Sequence, residues 1–287
     1  MNLVETGYAA GWRVVRALPR PVGAALFAAG AEIAVRRNTR GVARLRENLR
    51  RVVGDADLEA LVRRGMHSYL RYYLEAFRLP SMSRRQILAG FQLGGHEMLA
   101  DDVATGRGAI VALPHGGNWD IAGAWVAAQG WPIVAIAERL RPEGLYRRFL
   151  QFREDLGMEI IPLTGTGKPP LDLLVERLEK GYVVALLADR DLPGRGVEVE
   201  FFGARTTMPP GPALLALRSG APLYAADMWY EKAGARSRLN GPLPMPDPDS
   251  GSLADRVRTV TQDLARQFEA GIRRHPEDWH MLQRMWR

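Results

Sequence analysis

Four residues separate a histidine from an aspartate in the segment Pro114-His115-Gly116-Gly117-Asn118-Trp119-Asp120. On a continuous helix a step of five residues rotates the chain by about 140°, so the side chains of His115 and Asp120 would not share a face. They meet only if the chain turns between them, and Gly116 and Gly117 favour a turn because glycine tolerates backbone angles that other residues avoid. We therefore predict that Asp120 lies in the first turn of the following helix, where a carboxylate is favoured.

This pair has the residue types needed for general base catalysis on a hydroxyl group. Asp120 would hold one imidazole nitrogen of His115 and fix its tautomer, and the other nitrogen would remove a proton from the hydroxyl. The hydroxyl belongs to the substrate, so no covalent enzyme intermediate is required. Backbone N–H groups near the two glycines would stabilise the tetrahedral oxyanion. A structural histidine that caps a helix is the alternative interpretation.

Other catalytic motifs are absent or incomplete in the sequence. The chain has no cysteine and no G-x-S-x-G segment. The turn Gly165-Thr166-Gly167-Lys168 resembles a phosphate-binding loop, but Pro169 follows the lysine and the upstream glycine is missing. The five histidines show no spacing typical of metal ligands. We therefore predict an enzyme without a metal and without a cofactor.

From about residue 95, short apolar runs alternate with helical stretches. The predicted strands are Ala109 to Leu113, Ile133 to Ala137, Glu159 to Leu163, Tyr182 to Ala188 and Pro222 to Tyr230. The predicted helices between them are Ile121 to Gln129, Pro142 to Leu156 and Pro170 to Lys180. Near-continuous apolar strands separated by helices indicate an α/β fold with a buried, mostly parallel sheet flanked by helices.

Ligands of open α/β sheets bind outside the carboxyl ends of the strands. Polar residues follow four of the predicted strands: His115 after the first, Glu138 after the second, the turn 164–168 after the third, and Asp189 with Arg190 after the fourth. The strand pattern alone thus predicts that a histidine and several charged groups converge on one edge of the sheet.

The first part of the chain has a different character. Residues 1 to about 92 are predicted to be helical throughout, and residues 93–287 to form the α/β catalytic core of a single domain that spans 1–287. The net charge of +7 is matched by residues 1–54 alone, which hold ten arginines and three acidic residues. This basic segment predicts an anionic partner, and both anionic lipid and nucleic acid are candidates.

The amino-terminal residues favour lipid over nucleic acid. Val4, Tyr8, Trp12 and Val15 fall on one stripe at helical spacing, with arginines beside it, which is typical of a helix lying in a membrane surface. An ordinary core-packing helix is the alternative interpretation, and both stay open. The sequence shows no nucleic-acid-binding motif, no signal peptide and no apolar run long enough to span a membrane.

The motif His115-x-x-x-x-Asp120 resembles the signature of the glycerolipid and lysophospholipid acyltransferase superfamily. Further segments are similar to its bacterial lipid A acyltransferase-like branch, and within that branch to the actinobacterial phosphatidylinositol mannoside acyltransferases. The segments that carry the resemblance are Leu113 to Asp120, Ala137 to Leu140, Ala188 to Leu192, Glu198 to Gly203, Pro209 to Pro212, Gly220 to Pro222 and His275 to Leu282.

This resemblance implies transfer of a palmitoyl-like chain from acyl-CoA to a phosphatidylinositol mannoside. The acceptor would be the 6-hydroxyl of the mannose on the inositol 2-position, with His115 as the base and Asp120 as its orienting residue. Glu138 and Arg153 match polar positions that line the active-site groove of the family. Asp189 stands where the family usually has glutamate, and it would bind sugar hydroxyls of the substrate, although its carboxylate has a shorter reach. His280 would contact the substrate or be structural.

The resemblance also implies a peripheral protein on the cytosolic face of the cytoplasmic membrane. An acyl chain needs an apolar groove, and Trp119, Trp125 and Trp131 lie near enough to the motif to wall one. Two alternatives remain. One is the same chemistry on another acceptor, such as lipid A or a lysophospholipid. The other is a non-enzymatic basic protein that binds a membrane through residues 1–54.

Overall fold

The computed structural model describes residues 11–138, 143–165, 167–191 and 194–286. Its strands are β1 (Phe91–Gly94), β2 (Ala109–Leu113), β3 (Ile133–Ala137), β4 (Glu159–Pro162), β5 (Val183–Leu187), β6 (Val197–Phe201), β7 (Ala204–Met208), β8 (Leu223–Glu231) and β9 (Gly234–Asn240). Its longer helices are α1 (Arg20–Arg36), α2 (Arg40–Val53), α3 (Leu58–Arg78), α4 (Arg84–Gly90), α5 (His96–Ala104), α6 (Trp119–Ala128), α7 (Glu143–Glu154), α8 (Pro170–Leu178), α9 (Gly211–Ser219) and α10 (Leu253–Arg274). Residues 11–17 are helical as well.

The central sheet has seven strands in the order β1-β9-β8-β2-β5-β3-β4. The five strands from β8 to β4 run parallel to one another, and β9 joins β8 in an antiparallel pair. The predicted α/β fold with a mostly parallel sheet and a helical amino-terminal region is therefore confirmed. Because the five parallel strands point the same way, the residues that follow β2, β5 and β3 lie along one edge.

Alternate residues of the strands pack against helices on opposite faces of the sheet. Ile110 and Val184 contact the layer that contains α8, α9 and α10. Ala109 and Val183 contact the layer that contains α5 and α6. Burial on both faces explains the near-continuous apolar runs in these strands. Leu45 of α2 belongs to the first of the two clusters, so the amino-terminal helices pack on the body; the single-domain assignment stays a prediction.

Three parts of the sheet structure were not predicted. The edge strand β1 begins within the region predicted to be helical, and β9 extends the sheet between β1 and β8. The strands β6 and β7 form a separate antiparallel pair. All of these strands have polar or half-exposed residues at alternate positions, so they lack the apolar runs that mark the central strands.

The predicted membrane stripe on residues 4–15 is not supported where the structure describes it. Trp12 donates from Nε1 to the carbonyl oxygen of Phe77 at 2.9 Å, and its ring lies 5.5 Å from that of Phe152. Val15 is buried. Trp12 and Val15 therefore pack on the body, as the alternative interpretation held; Val4 and Tyr8 lie outside the described residues. No helix in the described ranges is long and apolar enough to cross a membrane.

Candidate active site

His115 lies directly beyond the carboxyl end of β2 and contacts the residue that follows the neighbouring strand β5. Leu113 pairs with Leu187 in the sheet, and this register places His115 beside Asp189. The Nδ1 atom of His115 lies 2.6 Å from Oδ1 of Asp189, and the backbone N–H of His115 donates to Oδ2 at 3.0 Å. The two residues thus form a histidine–carboxylate pair.

Asp189 is fully buried and accepts three hydrogen bonds. The third comes from the indole Nε1 of Trp279 at 2.9 Å. Burial by itself raises the pKa of Asp189, but the charge of His115 and the hydrogen bonds outweigh this effect and lower the pKa below its usual value. An ionised Asp189 accepts a hydrogen bond from Nδ1–H of His115. In that tautomer the lone pair of Nε2 is available as a base.

Asp120 makes different contacts from those predicted. Its Oδ1 accepts from Nε of Arg153 at 2.8 Å and its Oδ2 accepts from the hydroxyl of Tyr72 at 2.8 Å. In the structure Asp189, rather than Asp120, is hydrogen-bonded to the imidazole. The reason is local: Asp120 is the second residue of α6, and its side chain points into the space between α3 and α7, which supply its partners.

Asp120, Arg153 and Tyr72 form a buried, hydrogen-bonded group next to the loop that carries His115. Asp120 is 2% exposed. Burial opposes the charge of Arg153, but the adjacent carboxylate outweighs it and raises the pKa of Arg153. Burial, followed by the charge of Asp120, raises the pKa of Tyr72 well above its usual value. Arg153 is therefore a partner in a buried ion pair and not a solvated charge on its helix.

The turn between His115 and α6 requires glycine at both positions. Gly117 has φ +54°, and a Cβ atom there would lie 3.1 Å from the backbone of Met228. A Cβ atom on Gly116 would lie 3.0 Å from the carbonyl oxygen of Asp278. The prediction that the Gly-Gly pair makes a tight turn is confirmed, although the turn serves to seat the loop against neighbouring backbone.

The N–H groups of these glycines are not available for an oxyanion. Gly116 donates to the carbonyl oxygen of Pro114 at 2.8 Å, and Gly117 donates to that of Asp278 at 2.9 Å. The two glycines themselves therefore do not supply the donors, and an oxyanion site formed by N–H groups near them stays a prediction. Trp119 and Asp120 begin α6, and their N–H groups have no acceptor within the described ranges. Within the described ranges they are two of the unpaired backbone donors at the amino end of α6.

The segment 278–281 completes the site from the far end of the chain. His280 donates its backbone N–H to the carbonyl oxygen of His115 at 2.7 Å, and Trp279 forms a β-bridge with Gly116. His280 is buried, and burial lowers its pKa to about 3, so its ring is neutral. The hydroxyl of Ser68 lies between Oδ1 of Asp278 and Nε2 of His280, at 2.5 Å and 2.9 Å.

These contacts assign the tautomer of His280. The hydroxyl of Ser68 donates a hydrogen bond to the carboxylate of Asp278. It must therefore accept a hydrogen bond from His280, so Nε2 of His280 carries the ring proton. The Nδ1 atom is then a buried acceptor, and it has no partner in the described part of the protein. His280 thus has a structural role through Nε2 and its backbone, and it has a free acceptor beside the catalytic loop.

Glu138 follows β3 and is exposed at the same edge of the sheet. Its charge acts on Arg190: burial lowers the pKa of Arg190, while Glu138 and then Asp189 oppose this effect. Glu138 therefore lies at the same edge of the sheet as the histidine–carboxylate pair, and its predicted role in substrate binding stays a prediction. The phosphate-loop-like turn takes no part, since Lys168 is tied to Glu176 on the surface.

An apolar cavity lies between the sheet and α6, and residues on either side of the loop 114–118 line it. Leu113 and Trp119 line the cavity, and the ring of Trp119 lies 5.8 Å from that of His115. Small residues leave the space open, namely Ala122, Gly123, Ala135, Ala185 and Ala226. Of the three tryptophans expected to wall a groove, Trp119 lines this cavity, while Trp125 and Trp131 pack against each other elsewhere.

Sequence reasoning missed Tyr72, Ser68 and Trp279 as members of the site. Tyr72 and Ser68 lie on α3, in a region that the sequence predicted only to be helical. Trp279 belongs to one of the segments that carried the family resemblance, and that was the available signal. The amino-terminal helical region therefore supplies part of the active site.

A histidine hydrogen-bonded to a buried carboxylate lies near an apolar cavity at the carboxyl edge of an α/β sheet. This arrangement is expected of a class of enzymes that transfer groups to hydroxyls of apolar substrates. The sequence comparison names the class: the chain belongs to the bacterial lipid A biosynthesis acyltransferase family, whose sequence model matches residues 4–287. The protein is thus an acyltransferase.

The chain is also similar to characterised relatives over nearly its whole length. It is 45% identical over 288 residues to the phosphatidylinositol mannoside acyltransferase of Mycolicibacterium smegmatis, covering 99% of this chain and 92% of the relative. It is 44% identical over 287 residues to the phosphatidylinositol mannoside acyltransferase of Mycobacterium tuberculosis, covering 98% of this chain and 88% of the relative. The predicted resemblance is therefore confirmed.

Proposed function

We propose that this protein transfers a palmitoyl-like chain from acyl-CoA to the 6-hydroxyl of the mannose on the inositol 2-position of phosphatidylinositol mannosides. The observation that supports this most strongly is the contact between His115 and Asp189, with His115 packed against Trp119 of the apolar cavity. The names of the relatives support the choice of acceptor. The acyl thioester is a co-substrate, and the proposal involves no metal and no cofactor.

In the proposed reaction His115 is the general base. Asp189 holds Nδ1–H, and the lone pair of Nε2 removes the proton from the acceptor hydroxyl as its oxygen attacks the thioester carbon. The tetrahedral oxyanion then collapses, the carbon–sulfur bond breaks, and the imidazolium gives its proton to the departing thiolate. The products are the ester and free coenzyme A, with His115 neutral again.

The oxyanion of this intermediate needs donors that are not already used. The N–H groups of Trp119 and Asp120 meet this requirement, because they begin α6 and face no acceptor within the described ranges. The amino end of a helix also favours negative charge.

The acyl chain is proposed to occupy the apolar cavity between the sheet and α6. The cavity has a volume of about 110 Å³, so it would hold only a short part of the chain. Each methylene buried there would contribute about 0.8 kcal/mol to the binding of the donor. Asp120 and Arg153 line the cavity near the catalytic loop, and their ion pair fixes polar groups at the point where the chain would enter.

Sugar hydroxyls of the acceptor need polar partners at this edge. Glu138 is exposed and serves as an acceptor in this proposal. The free Nδ1 of His280 is a second acceptor beside the loop. Asp189 was expected to bind the sugar, but it is fully buried and its oxygens already accept three hydrogen bonds, so we assign it to His115 alone.

We also propose a peripheral position on the cytosolic face of the cytoplasmic membrane, with contact through α1. Apolar residues at helical spacing are exposed along its outer face: Val22, Ala25, Leu26, Ala29 and Ile33. Arg20 and Arg36 stand at its two ends, where they would meet anionic headgroups. This face replaces the stripe on residues 4–15 as the proposed membrane contact.

The test is acyl transfer from labelled palmitoyl-CoA to purified phosphatidylinositol mannosides, with a lysophospholipid and a lipid A precursor as parallel acceptors. We expect product with the mannolipid alone, and a loss of at least about a thousandfold in the His115→Ala variant. Its circular dichroism and melting temperature should match those of the wild type. Product only with another acceptor would retain the chemistry and reject the mannolipid.

A folded His115→Ala variant that keeps its turnover would refute the mechanism. If that variant also keeps vesicle binding that depends on the amino-terminal arginines, the result would favour the alternative of a non-enzymatic membrane-binding protein.

A further inference from the structure

A groove lined by arginines lies on the opposite side of α6 from the apolar cavity. It has a volume of about 830 Å³, within the range of small-ligand sites. Its charged and aromatic lining residues include Trp12, Arg13, Arg16, Arg84, Trp131 and Arg148. We call it the arginine groove. The residues of α6 that line it are Ala124, Ala127 and Ala128, whereas Ala122, Gly123 and Val126 line the cavity.

The charge of the arginine groove is strongly one-sided. Four arginines line it against a single carboxylate, that of Asp155. Asp155 accepts a hydrogen bond from Nε2 of Gln151 at 2.8 Å. Arginines elsewhere pair with carboxylates, as Arg46 does with Glu59 and Arg177 does with Glu159. Within the described ranges none of the four groove arginines forms an ion pair.

The four arginines differ in what they contact. Arg84 donates to the carbonyl oxygen of Ala128 at 2.7 Å and so neutralises the negative end of α6. Arg16 donates from Nε to the hydroxyl of Ser81 at 3.0 Å, which fixes the side chain without cancelling its charge. Arg13 and Arg148 have no hydrogen-bond partner in the described part of the chain. Arg13, Arg16 and Arg148 therefore remain available for an anion.

The walls of the groove are apolar and well held. The ring of Trp12 packs at 5.5 Å from that of Phe152, and Trp131 packs edge-on against Trp125 at 5.8 Å. Val14, which lies between two of the groove arginines in the sequence, is 56% exposed. The lining thus combines apolar and aromatic side chains with cationic ones, and exposed Val14 adjoins Arg13 in the sequence. This combination is expected where a protein meets a lipid surface.

From these observations we propose that the arginine groove binds the phosphate group of an anionic membrane phospholipid, at a site separate from the one at His115. Guanidinium groups match phosphate oxygens through paired hydrogen bonds, and three of them converge from two different segments of the chain. The apolar walls would hold the glycerol and the first acyl carbons. Such a site would anchor the enzyme to a lipid that it does not acylate.

The test is calorimetric titration of the full-length protein with a short-chain phosphatidylinositol below its micellar concentration, without any acyl donor. We expect binding to weaken by about tenfold or more in the Arg13→Ala, Arg148→Ala double variant, since charge-assisted hydrogen bonds are lost. Arg147→Ala is the matched control: this residue follows Tyr146 on the same helix, is 76% exposed and pairs with Glu143 outside the groove. Binding to the control and to His115→Ala should equal that of the wild type.

Parallel titrations separate the possible sources of the phosphate. Inorganic phosphate, coenzyme A and a short-chain phosphatidylcholine should each bind much more weakly than phosphatidylinositol. Unchanged phosphatidylinositol binding in the folded double variant would overturn the proposal. Binding of coenzyme A that depends on Arg13 and Arg148, without lipid binding, would also overturn it by assigning the groove to a soluble ligand. Either result is independent of whether His115 catalyses transfer.

Discussion

At the catalytic edge polar side chains are buried and paired, while on the outer face of α1 apolar side chains lie exposed to solvent. Asp189 and Asp120 are at most 2% exposed, and each accepts hydrogen bonds at both oxygens. Val22, Leu26 and Ile33 are 50–56% exposed. Soluble folds normally arrange these classes the other way round. We propose that both departures mark binding surfaces. A reacting hydroxyl would bind at the catalytic edge, and a lipid surface would contact α1.

The largest expected effect tests which carboxylate serves the histidine. Asp189→Asn should lower kcat by about a thousandfold or more with little change in KM, because an amide does not hold Nδ1–H of His115 as an ionised acceptor. Asp189→Glu restores the charge and should keep most of the activity. Steady-state kinetics of both variants would measure this, and wild-type kcat in Asp189→Asn would show that the observed pair is not catalytic.

The second carboxylate should matter first for stability. Asp120→Asn leaves the Arg153 cation buried without its partner, so the free energy of unfolding should fall by about 3–5 kcal/mol. The double variant Asp120→Asn, Arg153→Met removes both charges and should recover much of this loss. Urea denaturation compares them. If Asp120→Asn loses all turnover at unchanged stability, Asp120 acts in catalysis and not mainly in stability, contrary to this prediction.

A smaller effect is expected on the exposed face of α1. Replacing Val22, Leu26 and Ile33 together by serine should weaken binding to anionic vesicles by about tenfold while leaving the melting temperature nearly unchanged. The matched control replaces three exposed apolar residues of the body, Leu163, Met245 and Leu253. Vesicle sedimentation gives the partition coefficient. Equal losses in both triple variants would mean that α1 has no special role.

The smallest expected effect concerns pH and the two groups bridged by Ser68. Burial lowers the pKa of His280 to about 3, so its contribution to stability is present above pH 6.5 and is lost as the pH falls towards 3. Burial raises the pKa of Asp278 to about 6, so its contribution is present at low pH and is lost as the pH rises through 6. His280→Gln should therefore make the melting temperature fall less between pH 7 and 4, by a few degrees.

Asp278→Asn is the opposing control for that measurement. It removes a group that binds a proton more tightly in the folded state, so the melting temperature should fall more steeply with acid than in the wild type. Parallel curves for the wild type and both variants would show that neither group titrates as its burial implies.

The sequence predicted the elements that are buried on both faces and missed those that are not. The bounds of β2 and β3 were predicted to the residue, because such strands are continuous apolar runs between helices. The strand β9 reads Gly-Ala-Arg-Ser-Arg-Leu-Asn, and its polar residues hid it. The strand β1 has only four residues. An alternation of apolar and polar residues over so short a segment does not distinguish a strand from the end of a helix.

The sequence predicted where the site lies in the fold, but it did not predict which carboxylate contacts His115. The strand pattern placed His115, Glu138 and Asp189 at one edge, and the structure confirms that placement. The strand pattern does not encode which carboxylate faces the imidazole. That depends on the register of Leu113 against Leu187 and on Trp279, which reaches Asp189 from 90 residues further along the chain. The partners of Asp120 likewise come from α3 and α7, which no local pattern connects to it.

The pairing of the segment 278–281 with the loop at His115 has a consequence for how the enzyme is made. These residues hold the backbone of His115 and Gly117 and donate to Asp189, and they are separated from the loop by more than half of the chain. During translation the sheet can begin to assemble long before its catalytic edge is complete. A nascent chain that has not yet released residue 280 from the ribosome therefore carries His115 without its supports. Activity would appear only after residues 278–281 have been made and have paired with the loop at His115.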